Sequence, residues 1–147
     1  MANITGLRIG IVHPQLYPQT MSGEGPLVET VAALAAETSL SVVELGHVRD
    51  ELTRARLKVL LASSGLRVAF NAGPEIMRHG WDLNAEDGAA RAEALAGLRG
   101  QMEEAHFLGA RLFTVMSGPD VASGSAPAQH SSTPAPKAMP PWRVARA

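Results

Sequence analysis

The chain has 147 residues, of which 46% are hydrophobic, and a formal net charge of −1. This length and apolar content suit one domain with a sizeable core, while the charge supplies no basic field to hold a nucleic-acid backbone. The absence of cysteine excludes disulfides and thiolate chemistry and fits a reducing compartment. No apolar run approaches the roughly 18 residues of a membrane span, and the first residues do not resemble a signal peptide. We therefore expect a cytoplasmic protein that binds neither nucleic acid nor membranes.

The first βα unit begins with a short apolar strand, Leu7 to Val12, which His13-Pro14 ends because proline cannot continue a strand ladder. A polar loop rich in glycine and proline follows from Gln15 to Gly25, and loops of this length more often bind ligands than form tight turns. Pro26 then suits the first turn of a helix that runs to about Glu37.

The second unit repeats this pattern. Leu40 to Leu45 is an apolar strand except for Ser41 and Glu44. A buried acid must be hydrogen-bonded, paired or bound to a ligand, so Glu44 is a candidate functional residue. A helix is predicted from about Arg49 to Ser64, with Gly65 as its stop.

The third strand is Arg67 to Asn71, and a second long loop, Glu75 to Glu86, follows its Ala-Gly-Pro turn. His79, Trp81 and Asp82 in this loop could close on a substrate, or Trp81 could be a hydrophobic anchor.

A long helix follows, capped by Asp87 or by Asn84, and ends at Gly109 in left-handed geometry. Its predicted buried stripe is apolar and its charged residues lie mostly outside the stripe, including Glu103 and Glu104; the stripe consists of Leu95, Leu98, Met102, Ala105 and Gly109. Gly97 and Gly100 each cost about 1 kcal/mol against alanine, so the helix depends on packing. A fourth strand is predicted over 111–116 and is broken by Ser117-Gly118-Pro119.

The alternation β-α-β-α-β-α-β predicts an α/β fold with four parallel strands in sequential order and three helices on one side. We predict that this domain covers residues 1–120, where the net charge is −4, from 10 basic and 14 acidic residues. The remaining residues, 121–147, contain no acidic side chain and five of the ten prolines. We predict a disordered tail rich in Ala, Pro and Ser there, with local docking of Trp142 as one alternative.

Three segments resemble the amino-terminal half of the xylose-isomerase-like TIM barrels, the sugar phosphate isomerases and epimerases. They are VVELGH, LLASSGLRVAFNAGP and the stretch from DLNAEDGAARAEAL to LGARLFTVMSG, and the match as a whole covers roughly Leu7 to Pro119. The resemblance implies a (β/α) half-barrel that contains the first four strands of such a fold. It also implies a sugar or sugar phosphate ligand and, in the complete fold, Mn²⁺ or Mg²⁺ held by two Glu, one Asp and one His from later strands. No metal is expected for this chain alone, and the isolated chain is expected to be inactive.

The strand ends supply the candidate substrate-binding residues, because parallel sheets of this class keep their chemistry at the carboxyl ends of the strands. These residues are His13, Glu44, His47, Asn71 and Ser117. Three of these residues also have a possible structural role. His13 could form a backbone hydrogen bond, Glu44 a salt bridge and Asn71 an Asx-turn. No catalytic or metal-ligating residue is assigned, and His106 is interpreted as an ordinary helix residue.

Two origins remain open for the tail, which starts where the family's fifth strand would begin: a natural linker, or out-of-frame translation of a gene rich in G and C. The functional alternatives are a truncated isomerase or epimerase, a non-catalytic sugar-binding or protein-interaction module, and a relative of the apurinic endonucleases. Asn71 and the net charge of −4 disfavour the last of these. The unpaired edges of a half-barrel predict self-association.

Overall fold

In the part of the chain that the structure describes, four parallel strands form a single sheet in the order β1-β2-β3-β4. They are β1 (Ile9–Val12), β2 (Leu40–Leu45), β3 (Arg67–Asn71) and β4 (Leu112–Thr114). The computed structural model describes residues 8–118. The predicted parallel α/β fold with sequential strand order is therefore confirmed, whereas the predicted tail over 121–147, with Trp142, lies outside the described residues.

Five α-helices lie between residues 8 and 118, two more than the sequence predicted. They are α1 (His13–Leu16), α2 (Leu27–Ala35), α3 (Glu51–Ser64), α4 (Gly73–His79) and α5 (Gly88–Phe107), with a 3₁₀ turn at Pro18–Thr20. None of the helices between residues 8 and 118 combines the length and the apolarity that a membrane crossing requires.

The two additional helices lie where loops were predicted. Both α1 and α4 carry a proline in their first turn, Pro14 and Pro74. The missing N–H of proline costs nothing at that position, so these prolines start helices as well as ending strands. The prediction that the second loop begins at Glu75 is therefore wrong, because α4 continues to His79.

The ends of the main helices follow the residues that the sequence indicated. Asp50 caps α3 by accepting a hydrogen bond from the Thr53 N–H at 2.7 Å. Hydrogen bonding from the Thr53 side chain, and then from this N–H, lowers the pKa of the exposed Asp50 carboxyl. Asp87 caps α5 through the Ala89 N–H. Gly65 and Gly109 adopt the left-handed conformations, with φ of 75° and 77°, in which helices commonly stop.

The core lies between one face of the sheet and the long helices. Alternate strand residues such as Val43, Leu45, Val68 and Phe70 pack in one cluster with side chains from α2, α3 and α5. The Phe113 ring stacks on Phe70 at 5.8 Å and extends this layer to β4. The prediction of helices on one side of the sheet agrees with this packing.

The opposite face carries a row of side chains that crosses all four strands. Val12 pairs with Glu44, Glu44 with Ala69, and Ala69 with Leu112. Leu112 is 58% exposed and Glu44 is half-buried. A charged side chain therefore lies in the middle of an otherwise apolar row on the face away from the core.

The buried face of α5 differs from the predicted stripe. Ala94, Gln101, Glu104 and Ala105 are buried, whereas Leu95 is 49% exposed. The stripe is rotated because the helix covers polar groups of the chain around residue 48 as well as apolar strands. The prediction that Glu104 lies outside the buried face is therefore wrong.

Trp81 lies against α5 at Gly97. A Cβ atom at Gly97 would overlap the Trp81 ring, while a Cβ atom at Gly100 would meet no atom within 4 Å. The Trp81 ring also stacks on His79 at 4.8 Å. Trp81 therefore acts as the hydrophobic anchor that the sequence left as one of two alternatives.

These two glycines provide a matched test of the packing. We expect Gly100→Ala to stabilise the protein by about 1 kcal/mol, since alanine favours the helix and meets open space. We expect Gly97→Ala to lower the free energy of unfolding by about 1–3 kcal/mol, because the added methyl group displaces Trp81. Urea unfolding of both variants checks this. Stabilisation by both substitutions would show that Trp81 does not pack on Gly97.

Candidate functional site

Glu44 and Asn71 form a hydrogen-bonded pair at the carboxyl ends of the two central strands. The Asn71 Nδ2 atom donates to Glu44 Oε1 at 2.9 Å. The Asn71 Oδ1 atom accepts from the Gly73 N–H at 2.8 Å, which fixes the orientation of the amide. Asn71 therefore forms the Asx-turn considered as its structural role and also holds the carboxylate of the neighbouring strand.

One oxygen of Glu44 is left for other partners. Oε1 accepts from Asn71, whereas Oε2 receives no hydrogen bond within residues 8–118. Both side chains are half-buried, and they lie on the sheet face that the long helices do not cover. An oriented carboxylate with one open oxygen is suited to accept hydrogen bonds from hydroxyl or amide groups of a ligand.

His13 is held inside the fold by two threonines. It is 1% exposed, its Nε2 lies 2.8 Å from Thr30 Oγ1, and its Nδ1 lies 3.3 Å from Thr20 Oγ1. The Thr30 hydroxyl donates to the Pro26 carbonyl at 2.7 Å, and the Thr20 hydroxyl donates to the Tyr17 carbonyl at 2.7 Å. Burial lowers the pKa of His13. The partners of His13 are thus side-chain hydroxyls, and not the backbone carbonyl considered from the sequence.

His47 points to a helix carboxylate. Its Nδ1 lies 2.5 Å from Glu104 Oε2. The other oxygen, Oε1, accepts from the Val48 N–H at 2.7 Å and lies 3.5 Å from Arg54 Nε. Glu104 is 6% exposed, so this buried carboxylate joins the segment after β2 to α5. Sequence analysis missed Glu104, because a charge on an amphipathic helix is normally assigned to the solvent face.

A small cavity lies between the ends of β1 and β2 and the start of α4. It has a volume of about 20 Å³ and is lined by His13, Thr20, Gly46, His47 and Glu75 among others. That volume admits about one water molecule. Two of the five candidates therefore line one cavity, while Glu44 and Asn71 lie outside its lining.

Glu75 is the acidic member of this cavity and was not identified from the sequence. It is 5% exposed and pairs with Arg78 at 2.8 Å and with His79 at 3.4 Å. Its position directly after Gly73-Pro74 would have been informative only if α4 had been predicted.

Ser117 belongs to a different part of the molecule. Its carbonyl oxygen accepts from the Leu83 N–H at 3.0 Å and from Asn84 Nδ2 at 3.4 Å, and its side chain is exposed. The segment after β4 is thereby tied to the segment after α4. Ser117 is not among the residues that line the His13 cavity.

The described residues do not fit the divalent metal that the resemblance implies. Between residues 8 and 118, no group of three or more His, Asp or Glu side chains could hold a metal ion. Glu44 offers one oxygen that is not already paired, and the Asn71 oxygen is occupied by the Gly73 N–H. No chemical step through a metal is therefore assigned to this site.

Comparisons of the chain with protein-family models, with curated proteins and with solved structures give no match. The case for a function therefore depends on the geometry of the strand ends.

The lowered pKa of His13 predicts a pH-dependent stability. The unfolded chain binds a proton at His13 below about pH 6.5, whereas the folded protein binds it only at lower pH. The contribution of His13 to stability is therefore complete above about pH 6.5 and is lost as the pH falls from there through the folded pKa. Urea unfolding between pH 7.5 and pH 5 should show a smaller loss for His13→Gln than for the unmodified chain. Equal losses would contradict the assignment.

Glu104 should be far more important for stability than its neighbour. Glu104→Gln removes the charge that accepts from His47 and from the Val48 N–H, and hydrogen bonds to charged groups contribute about 1.5–3 kcal/mol each. We expect a loss of about 2–3 kcal/mol in the free energy of unfolding. Glu103→Gln, at an exposed position of the same helix, should change it by no more than about 0.5 kcal/mol. Similar values for the two variants would disprove the Glu104 contacts.

Proposed function

We propose that this chain is a sugar phosphate isomerase/epimerase-like protein that binds a sugar or sugar phosphate at Glu44 and Asn71. The observation that supports the proposal is the fixed carboxylate of Glu44, with Oε2 open, at the carboxyl end of a central parallel strand. Sugar hydroxyls donate to such a carboxylate, and ligands of open parallel sheets lie at this end of the strands.

The charge at the site selects which part of the ligand lies there. Glu44 is negative, so it attracts hydroxyl donors and repels a phosphate group. A sugar phosphate therefore places its hydroxyl end against Glu44 and its phosphate away from it. We place this binding in the cytoplasm as part of the same proposal, since the chain contains no cysteine.

The proposal concerns binding, and it assigns no catalytic residue. Isomerisation of a sugar moves a proton next to a carbonyl group and needs an acid and a base on either side of it. Glu44 supplies one carboxylate, and the nearest polar partner, Asn71, does not transfer protons. We therefore expect the purified chain to bind sugars without converting them, with or without Mn²⁺ or Mg²⁺.

A second candidate is a non-catalytic protein-interaction module. It is favoured by large apolar side chains that remain exposed at both edges of the sheet, including Ile9 at 52% and Leu112 at 58%. The two candidates differ in what occupies the uncovered face, a small polyol or another protein surface.

Titration with a panel of neutral ketoses, aldoses and sugar phosphates tests sugar binding. We expect saturable binding, observed by calorimetry and by NMR shifts of the Asn71 side-chain amide, and at least about tenfold weaker binding for Glu44→Gln. Glu93→Gln, an exposed acid on α5, is the matched control and should bind like the unmodified chain.

Two results would contradict the proposal. Saturable binding that Glu44→Gln leaves unchanged would place the ligand elsewhere. No saturation by any sugar at concentrations of about 1 mM, the weak end of ordinary Michaelis constants, would favour the interaction module instead. Turnover that Glu44→Gln abolishes would show that the site is catalytic as well as binding.

A further inference from the structure

We propose that two copies of this chain close into one eight-stranded parallel barrel, in which β4 of each copy pairs with β1 of the other. The proposal goes beyond sugar binding and does not depend on it. It begins from the two edges of the sheet, since β1 and β4 each have a neighbouring strand on one side only within residues 8–118.

The two edge strands differ from the two central strands in their exposed apolar side chains. Ile9 on β1 and Leu112 on β4 are large and exposed, whereas no large hydrophobic residue is exposed on β2 or β3. Val115 and Met116, directly after β4, are also exposed. Unpaired strands that carry apolar side chains are templates for pairing, and the two edges match each other in this character.

The strand directions make a second copy the occupant that satisfies both edges at once. All four strands are parallel and in sequential order, so an edge-to-edge contact between β4 and the β1 of another copy continues a parallel sheet with the same order. Two such contacts related by a two-fold axis give eight strands and leave no edge. Eight is also the strand number at which side chains fill the interior of a closed parallel barrel.

The helix layer is compatible with this closure. The core packs α2, α3 and α5 against one face of the sheet, so a closed barrel has its helices outside and the opposite face inside. The row that contains Val12, Glu44, Ala69 and Leu112 then lines the interior. The Leu112 side chain, which is 58% exposed in the single chain, becomes buried against the partner copy.

Two basic residues should oppose the association and make it depend on the salt concentration. Arg8 directly precedes β1 and Arg111 directly precedes β4. Pairing β4 with the partner's β1 brings these like charges to the same end of the barrel. Association should therefore strengthen as salt rises, because salt screens their repulsion.

The mass of the full chain in solution is the first test. Light scattering on the purified chain, without any sugar, should give twice 15.5 kDa at micromolar concentration. A monomer at about 100 µM, a concentration at which a stable dimer remains associated, would overturn the proposal, as would a ladder of larger species from contacts that do not close.

Cross-linking then tests which edges meet. The chain has no cysteine, so single introduced thiols report cleanly. Ile9→Cys and Leu112→Cys chains, mixed and treated with a short bismaleimide, should give a cross-linked dimer, whereas neither variant alone should do so. Val59→Cys, at a 71% exposed position on α3, is the control and should not cross-link. Efficient cross-linking of Leu112→Cys with itself would show that β4 pairs with β4 and would disprove the barrel.

Introduced charges separate loss of association from loss of folding. Ile9→Lys and Leu112→Glu should each raise the dimer Kd at least about tenfold, because each places a charge at the seam between the two copies. Val59→Lys should leave the Kd unchanged. Since Ile9 and Leu112 are already exposed, urea transitions of the variants should stay close to that of the unmodified chain. A dimer Kd that neither substitution changes would refute the proposed pairing, whatever the outcome of the sugar titrations.

Discussion

The parallel order of the four strands is the constraint on which the rest of this structure depends. Parallel neighbours cannot be joined by hairpins, so every connection must cross over through a helix. When the strand order runs in one direction and each crossover has the usual right hand, all crossover helices lie on one face of the sheet. The same constraint that builds the core on one face therefore leaves the other face without a helix layer. The uncovered face carries both the Glu44–Asn71 pair and the exposed Leu112 side chain.

The elements that could be predicted are those whose signal is local. Short, mostly apolar runs identified β2 and β3, and Gly65 and Gly109 marked helix ends because a left-handed residue is needed there. The buried face of α5 could not be predicted in this way. Its partner includes the Val48 N–H, a buried polar group that needs an acceptor, and Glu104 supplies it across 56 positions of sequence. Apolar periodicity contains no information about such a contact.

The candidate site residues also differ in whether their contacts are set by a local signal. Position at a strand end was sufficient to predict that Glu44 and Asn71 lie side by side, because register places neighbouring strand ends next to each other in any parallel sheet. It was insufficient to predict the contacts of His13, His47 and Ser117, which depend on the segments that follow the strands. Glu75 was not predicted as a site residue, because Pro74 is compatible both with the end of a strand and with the start of a helix. The structure shows that it starts a helix.

In the proposed barrel, Glu44 would couple ligand binding to closure of the uncovered face. In the open sheet the carboxylate is half-buried, so water can solvate Oε2 and the cost of the charge is small. Closing a barrel over this face removes that water and places Glu44 from both copies in one enclosed space, where two like charges repel each other. A ligand whose hydroxyl groups donate to Oε2 offsets this cost only in the closed form. By mass action, a ligand that prefers the closed form shifts the equilibrium toward it, and closure in turn raises the affinity for that ligand by the same factor.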